Sequence, residues 1–165
     1  MENWATVSSA SAEQTREIGA QIARLVDKGD VVLLVGSLGA GKTTFVQGLV
    51  AALGGRDPVT SPTFTLAHKY RTSPPVTHVD LWRLDHLQEV VDLALEEELD
   101  EGGVVIVEWG DAAEPLYGAE ALVVRLDWGA SDGERTIAFE CRGRSWCSRA
   151  ELLREALRAG SVGAG

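Results

Sequence analysis

The chain has 165 residues, 45% of them apolar, and a formal net charge of −10. That length suits one well-packed domain rather than two, and no apolar run approaches the roughly 20 residues of a membrane-spanning helix. The acidic balance argues against unaided binding to nucleic acid, whose sequence-independent affinity comes from basic groups on phosphate, so any nucleic-acid role is expected to run through partners.

In chain order, "MENWATVSSASAEQ" has neither the basic start nor the apolar core of a signal peptide, and the expected compartment is the cytoplasm. Ile18, Ile22 and Leu25 recur at helical spacing, with Ser11 and Gln14 as a capping box and Gly29 as the stop. "VVLLV", Val31 to Val35, is the unbroken apolar run of a strand buried on both faces. A glycine-rich loop follows, and then "TTFVQGLVAALGG" as a helix stopped by Gly54 and Gly55. "TFTLAHKY" and "VTHVDLW" flank the turn "RTSPP" and predict an antiparallel hairpin, which makes the sheet mixed.

"HLQEVVDLALEEELDEGG" gives one or two short helices with an acidic surface, and "VVIVEW" is a second fully apolar strand ending in Glu108. "ALVVRLDW" and "ERTIAFEC" form a second candidate hairpin around "GASDG". Ser148 and Glu151 read as the cap of a last helix, and the tail "AGSVGAG" is expected to be disordered. The expected organisation is a single domain over 1–158 and a tail over 159–165. Cys141 and Cys147 are too few for a disulfide framework and lack metal-ligand spacing, so they read as buried or idle thiols.

The chemistry lies in "GSLGAGKTTF". Gly36, Gly41, Lys42 and Thr43 satisfy G-x-x-x-x-G-K-[ST] between a buried strand and a helix, the context that gives this pattern its meaning. Small residues let the loop fold back so that backbone N–H groups from Leu38, Gly39, Ala40, Gly41, Lys42, Thr43 and Thr44 converge on phosphates, aided by the helix N-terminus. Lys42 is expected to reach the β and γ phosphates, and the Thr43 hydroxyl to ligate Mg²⁺. The expected fold is therefore α/β, a P-loop NTPase-like mixed central sheet flanked by helices, with antiparallel hairpins.

Such a site needs carboxylates near the metal, and two close apolar strands: Asp80 after "VTHV" and Glu108 after "VVIV". One would hold Mg²⁺ and the other would orient or deprotonate the attacking water. In "SPTF", Thr63 either contacts Mg²⁺ or the γ phosphate, or belongs to a simple Ser-Pro turn. His68, His78 and His86 show no metal spacing and read as structural or surface groups, and Trp109 reads as a core aromatic, or as a residue at the site mouth or at a partner interface.

The segments "GSLGAGKTTF", "VTSPTF", "HVDLWRLD" and "VVIVEWGD", in this order and spacing, resemble the bacterial TsaE family, formerly called YjeE. The resemblance runs from about the first helix to the last hairpin. It implies a small P-loop ATPase, with ATP and Mg²⁺ as cofactors, required for making the threonylcarbamoyl-adenosine of transfer RNA. Its partners would be the TsaD and TsaB proteins, whose complex needs the hydrolysis for repeated turnover, with tRNA met only indirectly and no membrane involved. The resemblance further implies that Thr43 and Glu108 hold Mg²⁺ and that Asp80 is the catalytic carboxylate, the last two roles being exchangeable. Thr15 and Arg135 fall where the family places groups near the nucleotide. Ser37, often acidic in the family, and Trp82, often tyrosine, depart from its pattern without removing a group the phosphate chemistry needs.

Three rivals are weighed against this reading. A GTPase would select guanine with Asn-Lys-x-Asp, and Asn3 is the only asparagine. A small-molecule kinase would need an arginine-bearing lid, which is not apparent after Glu108. In an ATP-gated interaction module, the nucleotide would only switch an interface.

Overall fold

A computed structural model describes residues 4–37, 39–61, 67–81, 88, 91 and 93–162. Its centre is a seven-stranded sheet in the order β1-β7-β6-β2-β5-β4-β3. The strands are β1 (Trp4–Ser9), β2 (Val31–Val35), β3 (Ala67–Tyr70), β4 (Val76–Asp80), β5 (Val104–Glu108), β6 (Ala121–Trp128) and β7 (Arg135–Arg142). β2, β4, β5 and β6 run parallel, whereas β3, β7 and β1 pair antiparallel with their neighbours. The mixed sheet and both hairpins expected from the sequence are present.

The unbroken apolar strands follow from burial on both faces. Along β2, Val32 and Leu34 join one apolar layer with Ile22, Phe45, Leu49, Trp146 and Leu153, while Val31 and Leu33 join the other with Leu95, Ala113 and Val123. The helices of the first layer are α1 (Ala12–Ala23), α2 (Lys42–Ala52) and the C-terminal helix. The second layer lies under α3 (Leu95–Asp100) and a 3-10 turn, Gly110–Ala113, that runs into the short α4 (Glu114–Tyr117).

Helix α1 starts as expected, with the Ser11 Oγ accepting from the Gln14 N–H at 3.1 Å. The Gln14 side chain reaches back to the Ala10 N–H at 2.8 Å. The helix stops at Ala23, six residues before Gly29, because the backbone turns so that Leu25 and Val26 pack on the core. Glycine sets how closely α1 meets α2: a methyl group on Gly48 would collide with the Arg16 carbonyl, and one on Gly19 with the Phe45 carbonyl. That close crossing carries Thr15 of α1 up against the start of α2.

Strand β1 has no counterpart in the sequence reading. It lies at the sheet edge, pairs with β7 from Trp4↔Glu140 to Ser9↔Arg135, and is mostly half-buried or exposed. At the other end of the chain, Ser148 is not the cap of the last helix. It closes the short α5 (Gly143–Cys147), its Oγ donating to the Ser145 carbonyl at 2.7 Å, and α6 (Ala150–Val162) begins two residues later. Helical backbone continues to Val162, past the expected boundary at 158. The remainder of the expected tail, 163–165, lies outside the described residues.

The start of α6 is tied to the core by Arg149. Its guanidinium grips Asp30 through two bonds of 2.6 and 2.9 Å, donates to the Leu25 carbonyl at 2.7 Å, and lies 3.8 Å from the Trp146 ring centroid.

Candidate functional site

The phosphate-loop candidate leaves the end of β2 and enters α2, and its backbone needs glycine. Gly39 has φ 79° and Gly41, the residue before the first helical position, has φ 103°. These left-handed values carry little cost only for a residue without a Cβ. The Ala40 N–H closes a turn on the Ser37 carbonyl at 3.1 Å. Lys42, the first residue of α2, is 5% exposed. Its ammonium donates to the carbonyls of Gly36 at 2.7 Å and Ser37 at 2.9 Å, and lies 3.9 Å from the centroid of the Trp109 ring. Burial pulls the Lys42 pKa below its ordinary value, against the opposing pull of the Glu108, Asp80 and Asp111 carboxylates.

The two strand-end carboxylates are neighbours. Asp80 of β4 and Glu108 of β5 are opposed in parallel register, and each is 3% exposed. Because side chains alternate along a strand, Val76, His78 and Asp80 share one face of β4, and Val104, Ile106 and Glu108 share the same face of β5. Val76, Val104 and Ile106 belong to the apolar layer under α2, so both acids point toward the helix that carries Lys42 and Thr43. The Thr43 Oγ1 lies 3.0 and 3.1 Å from the two Glu108 carboxylate oxygens. Asp80 accepts from the Ser61 Oγ at 2.9 Å.

Trp109, directly after Glu108, has φ 62°, a left-handed conformation uncommon for a bulky side chain. In this backbone its ring packs against the second apolar layer and also covers the Lys42 ammonium, so it joins the core to the site.

A second group of residues closes around the outer side of the loop. Strand β1 ends beside β7, and the Ser9 Oγ meets the Thr15 Oγ1 at 2.7 Å. Thr15, with Ala12, Gly39, Gly41, Thr44, Gly133 and Arg135, lines a cleft of about 180 Å³. Arg135 donates to the Gly39 carbonyl at 3.2 Å, and its guanidinium stacks 3.9 Å from the Trp128 ring centroid. The Trp128 indole N–H donates in turn to the Ser37 Oγ at 3.2 Å. The tip of the β6–β7 hairpin is thus fastened to the phosphate loop at two points.

The structure therefore brings together Lys42, Thr43, Asp80 and Glu108 in one cluster, and Thr15, Gly39, Gly41, Thr44 and Arg135 around the adjoining cleft. Ala40 belongs to the loop but is fully buried, so only its backbone is available to a ligand. Leu38 and Thr63, also expected near the nucleotide, lie outside the described residues.

Two residues were missed as site components. Ser61 holds Asp80. His78, read as structural or surface, is fully buried with Nε2 2.6 Å from Glu108 Oε2. The signal was the two-residue spacing from His78 to Asp80, which puts both on one face of a strand.

The donor set fits a hard divalent cation. Thr43 and Glu108 offer oxygens side by side, with Asp80 next to them, and among the described residues no cluster of three or more His, Cys, Asp or Glu side chains is arranged to cage a metal. A Mg²⁺ ion suits such an incomplete site, because it usually takes only one or two protein ligands and completes its shell with phosphate oxygens and water.

Comparison with known proteins places this arrangement among relatives. The sequence profile described as "Threonylcarbamoyl adenosine biosynthesis protein TsaE" matches residues 9–137. A protein of Streptomyces coelicolor named tRNA threonylcarbamoyladenosine biosynthesis protein TsaE is 42% identical over 140 residues, covering 81% of this chain and 94% of that one. Its namesake in Bacillus subtilis is 38% identical over 155 residues, covering 93% and 92%. The crystal structure of Bacillus subtilis YdiB superposes with a TM-score of 0.78 at 32% identity, over 98% of both chains.

Proposed function

Since the chain belongs to the TsaE family, we propose that it is the ATP-hydrolysing component of the tRNA threonylcarbamoyladenosine machinery, acting on the complex of TsaB and TsaD so that the complex can turn over repeatedly. The observation that carries this reading is the convergence of Lys42, Thr43, Asp80 and Glu108 at one end of the parallel strands, where the loop and the α2 N-terminus meet. Outside the carboxyl ends of parallel strands is where open α/β sheets bind ligands.

The loop amides from Gly39 to Thr44 cradle the phosphates of ATP, with the positive end of the α2 dipole behind them. Lys42 leaves the Gly36 and Ser37 carbonyls and turns its ammonium to the β and γ phosphates, where it offsets the charge spread over the oxygens during transfer. Thr43 and Glu108 hold Mg²⁺, which neutralises phosphate charge when bound. Asp80, steadied by Ser61, orients the water that attacks the γ phosphate in line and accepts its proton. Thr15, Thr44 and Arg135 line the adjoining cleft and contact the rest of the nucleotide.

The chain acts in the cytoplasm and meets tRNA only through its partners, in keeping with the net charge of −10. Among the described residues no helix is long and apolar enough to cross a membrane.

A second reading, an ATP-gated interaction module, is favoured by one observation. The Lys42 ammonium is engaged with the loop's own carbonyls, so nucleotide binding entails a rearrangement of the loop. Phosphate release from ATP by the purified chain, with Lys42→Ala in parallel, tests the catalytic reading. Slow release that Lys42→Ala abolishes supports it, whereas tight ATP binding without release favours the module.

A further inference from the structure

His78 sits in the middle of β4 and is fully buried. A buried imidazole is costly unless its nitrogens find partners. Nε2 has one, Glu108 Oε2 at 2.6 Å, whereas Nδ1 makes no hydrogen bond among the described residues. An unpaired buried polar atom is destabilising, so an apolar side chain would fill this place better if filling it were the only requirement. What histidine adds is a donor aimed at a carboxylate. An ionised carboxylate only accepts hydrogen bonds, so this contact uses a proton on Nε2.

Glu108 is thereby held from two sides. His78 donates to Oε2 from the neighbouring strand β4, and Thr43 donates to the carboxylate from the first turn of α2. Without His78, the glutamate side chain would keep three rotatable bonds with one tether. We propose that His78 is the positioning residue of the metal-binding carboxylate, its Nε2–H fixing Glu108 in the orientation that faces Thr43. This rests on the reading of Glu108 as a Mg²⁺ ligand. His78 is fully buried and acts only through Glu108.

The test uses the full chain and a fluorescent ATP analogue, measuring its binding in EDTA and then as Mg²⁺ is added. His78→Gln can reproduce a donor near the Nε2 position, His78→Asn is too short to do so, and His78→Phe fills the space without a donor. The expected result is that His78→Asn and His78→Phe raise the Mg²⁺ concentration for half-maximal binding by about 10- to 100-fold, the usual cost of losing a partner of a metal ligand. His78→Gln should stay near the wild type, and binding in EDTA should be unchanged in all three.

Wild-type Mg²⁺ dependence in His78→Phe would overturn the proposal, as would a loss in His78→Gln as large as that in His78→Phe. If His78→Phe fails to fold, His78→Asn carries the test, and unfolding of both would mark a purely structural role and overturn it. Absence of any Mg²⁺ effect on the wild type would instead remove the metal-site reading itself, and that result is visible before any variant is made.

Discussion

Thr43 and Glu108 stand 65 positions apart in the chain, yet the threonine hydroxyl lies 3.0 Å from one carboxylate oxygen and 3.1 Å from the other. The contact joins the first turn of α2 to the end of β5, so one pair of side chains links the phosphate loop to the strand that carries the acid. The same oxygens are the ones assigned to Mg²⁺, and the predictions below begin from them.

Thr43→Val keeps the shape of the side chain and removes its oxygen. The variant is expected to fold as the wild type does and to need about 10- to 100-fold more Mg²⁺ for ATP hydrolysis, since a contact to a charged group contributes about 1.5–3 kcal/mol. A Mg²⁺ titration of phosphate release checks this.

Asp80→Asn leaves the Ser61 contact able to form but removes the proposed base. Hydrolysis is expected to fall by about 10²- to 10⁴-fold, the range of a positioned proton acceptor, with ATP affinity nearly unchanged. Single-turnover hydrolysis beside equilibrium binding separates the two effects. A loss confined to binding would reassign Asp80 to the metal, the exchange of roles that the sequence left open.

Lys42 gives a pH signature. Burial holds its pKa in the fold below the ordinary 10.5, so the folded state binds the lysine proton less readily than the unfolded state does. A group of this kind opposes folding while it is protonated in both states, and the opposition fades as pH rises through the folded pKa toward the unfolded one. Lys42→Met removes the term. Relative to that variant, the wild type should therefore gain stability as pH rises from neutral toward 10.5, which paired thermal melts across the range would detect. The same substitution should abolish productive phosphate binding.

Arg149→Ala breaks the two-bonded grip on Asp30 and leaves that carboxylate buried without its main partner. Removing one member of such a pair costs about 3–5 kcal/mol. Denaturant unfolding should show the loss. Asp30 and Arg149 lie away from Lys42 and Glu108 in the assigned roles, so the folded fraction should keep its ATP affinity.

What could be read in the sequence was what depends on short spacing. The loop Gly36–Thr43 and the apolar strands that precede it and end at Glu108 are each signalled within about ten residues of chain, and the two hairpins within about twenty. Strand β1 was not legible, because "WATVSS" forms at an edge, is held by pairing to β7 more than a hundred residues away, and lacks a strong apolar alternation. The His78 contact was hidden for a related reason: its partner lies 30 positions on, and only the register of β4 beside β5 brings the two together. Helix α6 was legible as far as its apolar spacing reaches, through Leu153 and Leu157, which are almost fully buried; the turn beyond, to Val162, has the small, glycine-containing composition that reads as a tail.

The most direct test of the central claim is ATP hydrolysis by the purified chain with Mg²⁺, alone and with the TsaB and TsaD proteins, using Glu108→Ala as the control. The account predicts slow hydrolysis alone, strong stimulation by the two partners together, and loss of that stimulation in Glu108→Ala. Hydrolysis indifferent to the partners, or transfer of phosphate to a small acceptor in place of water, would contradict it.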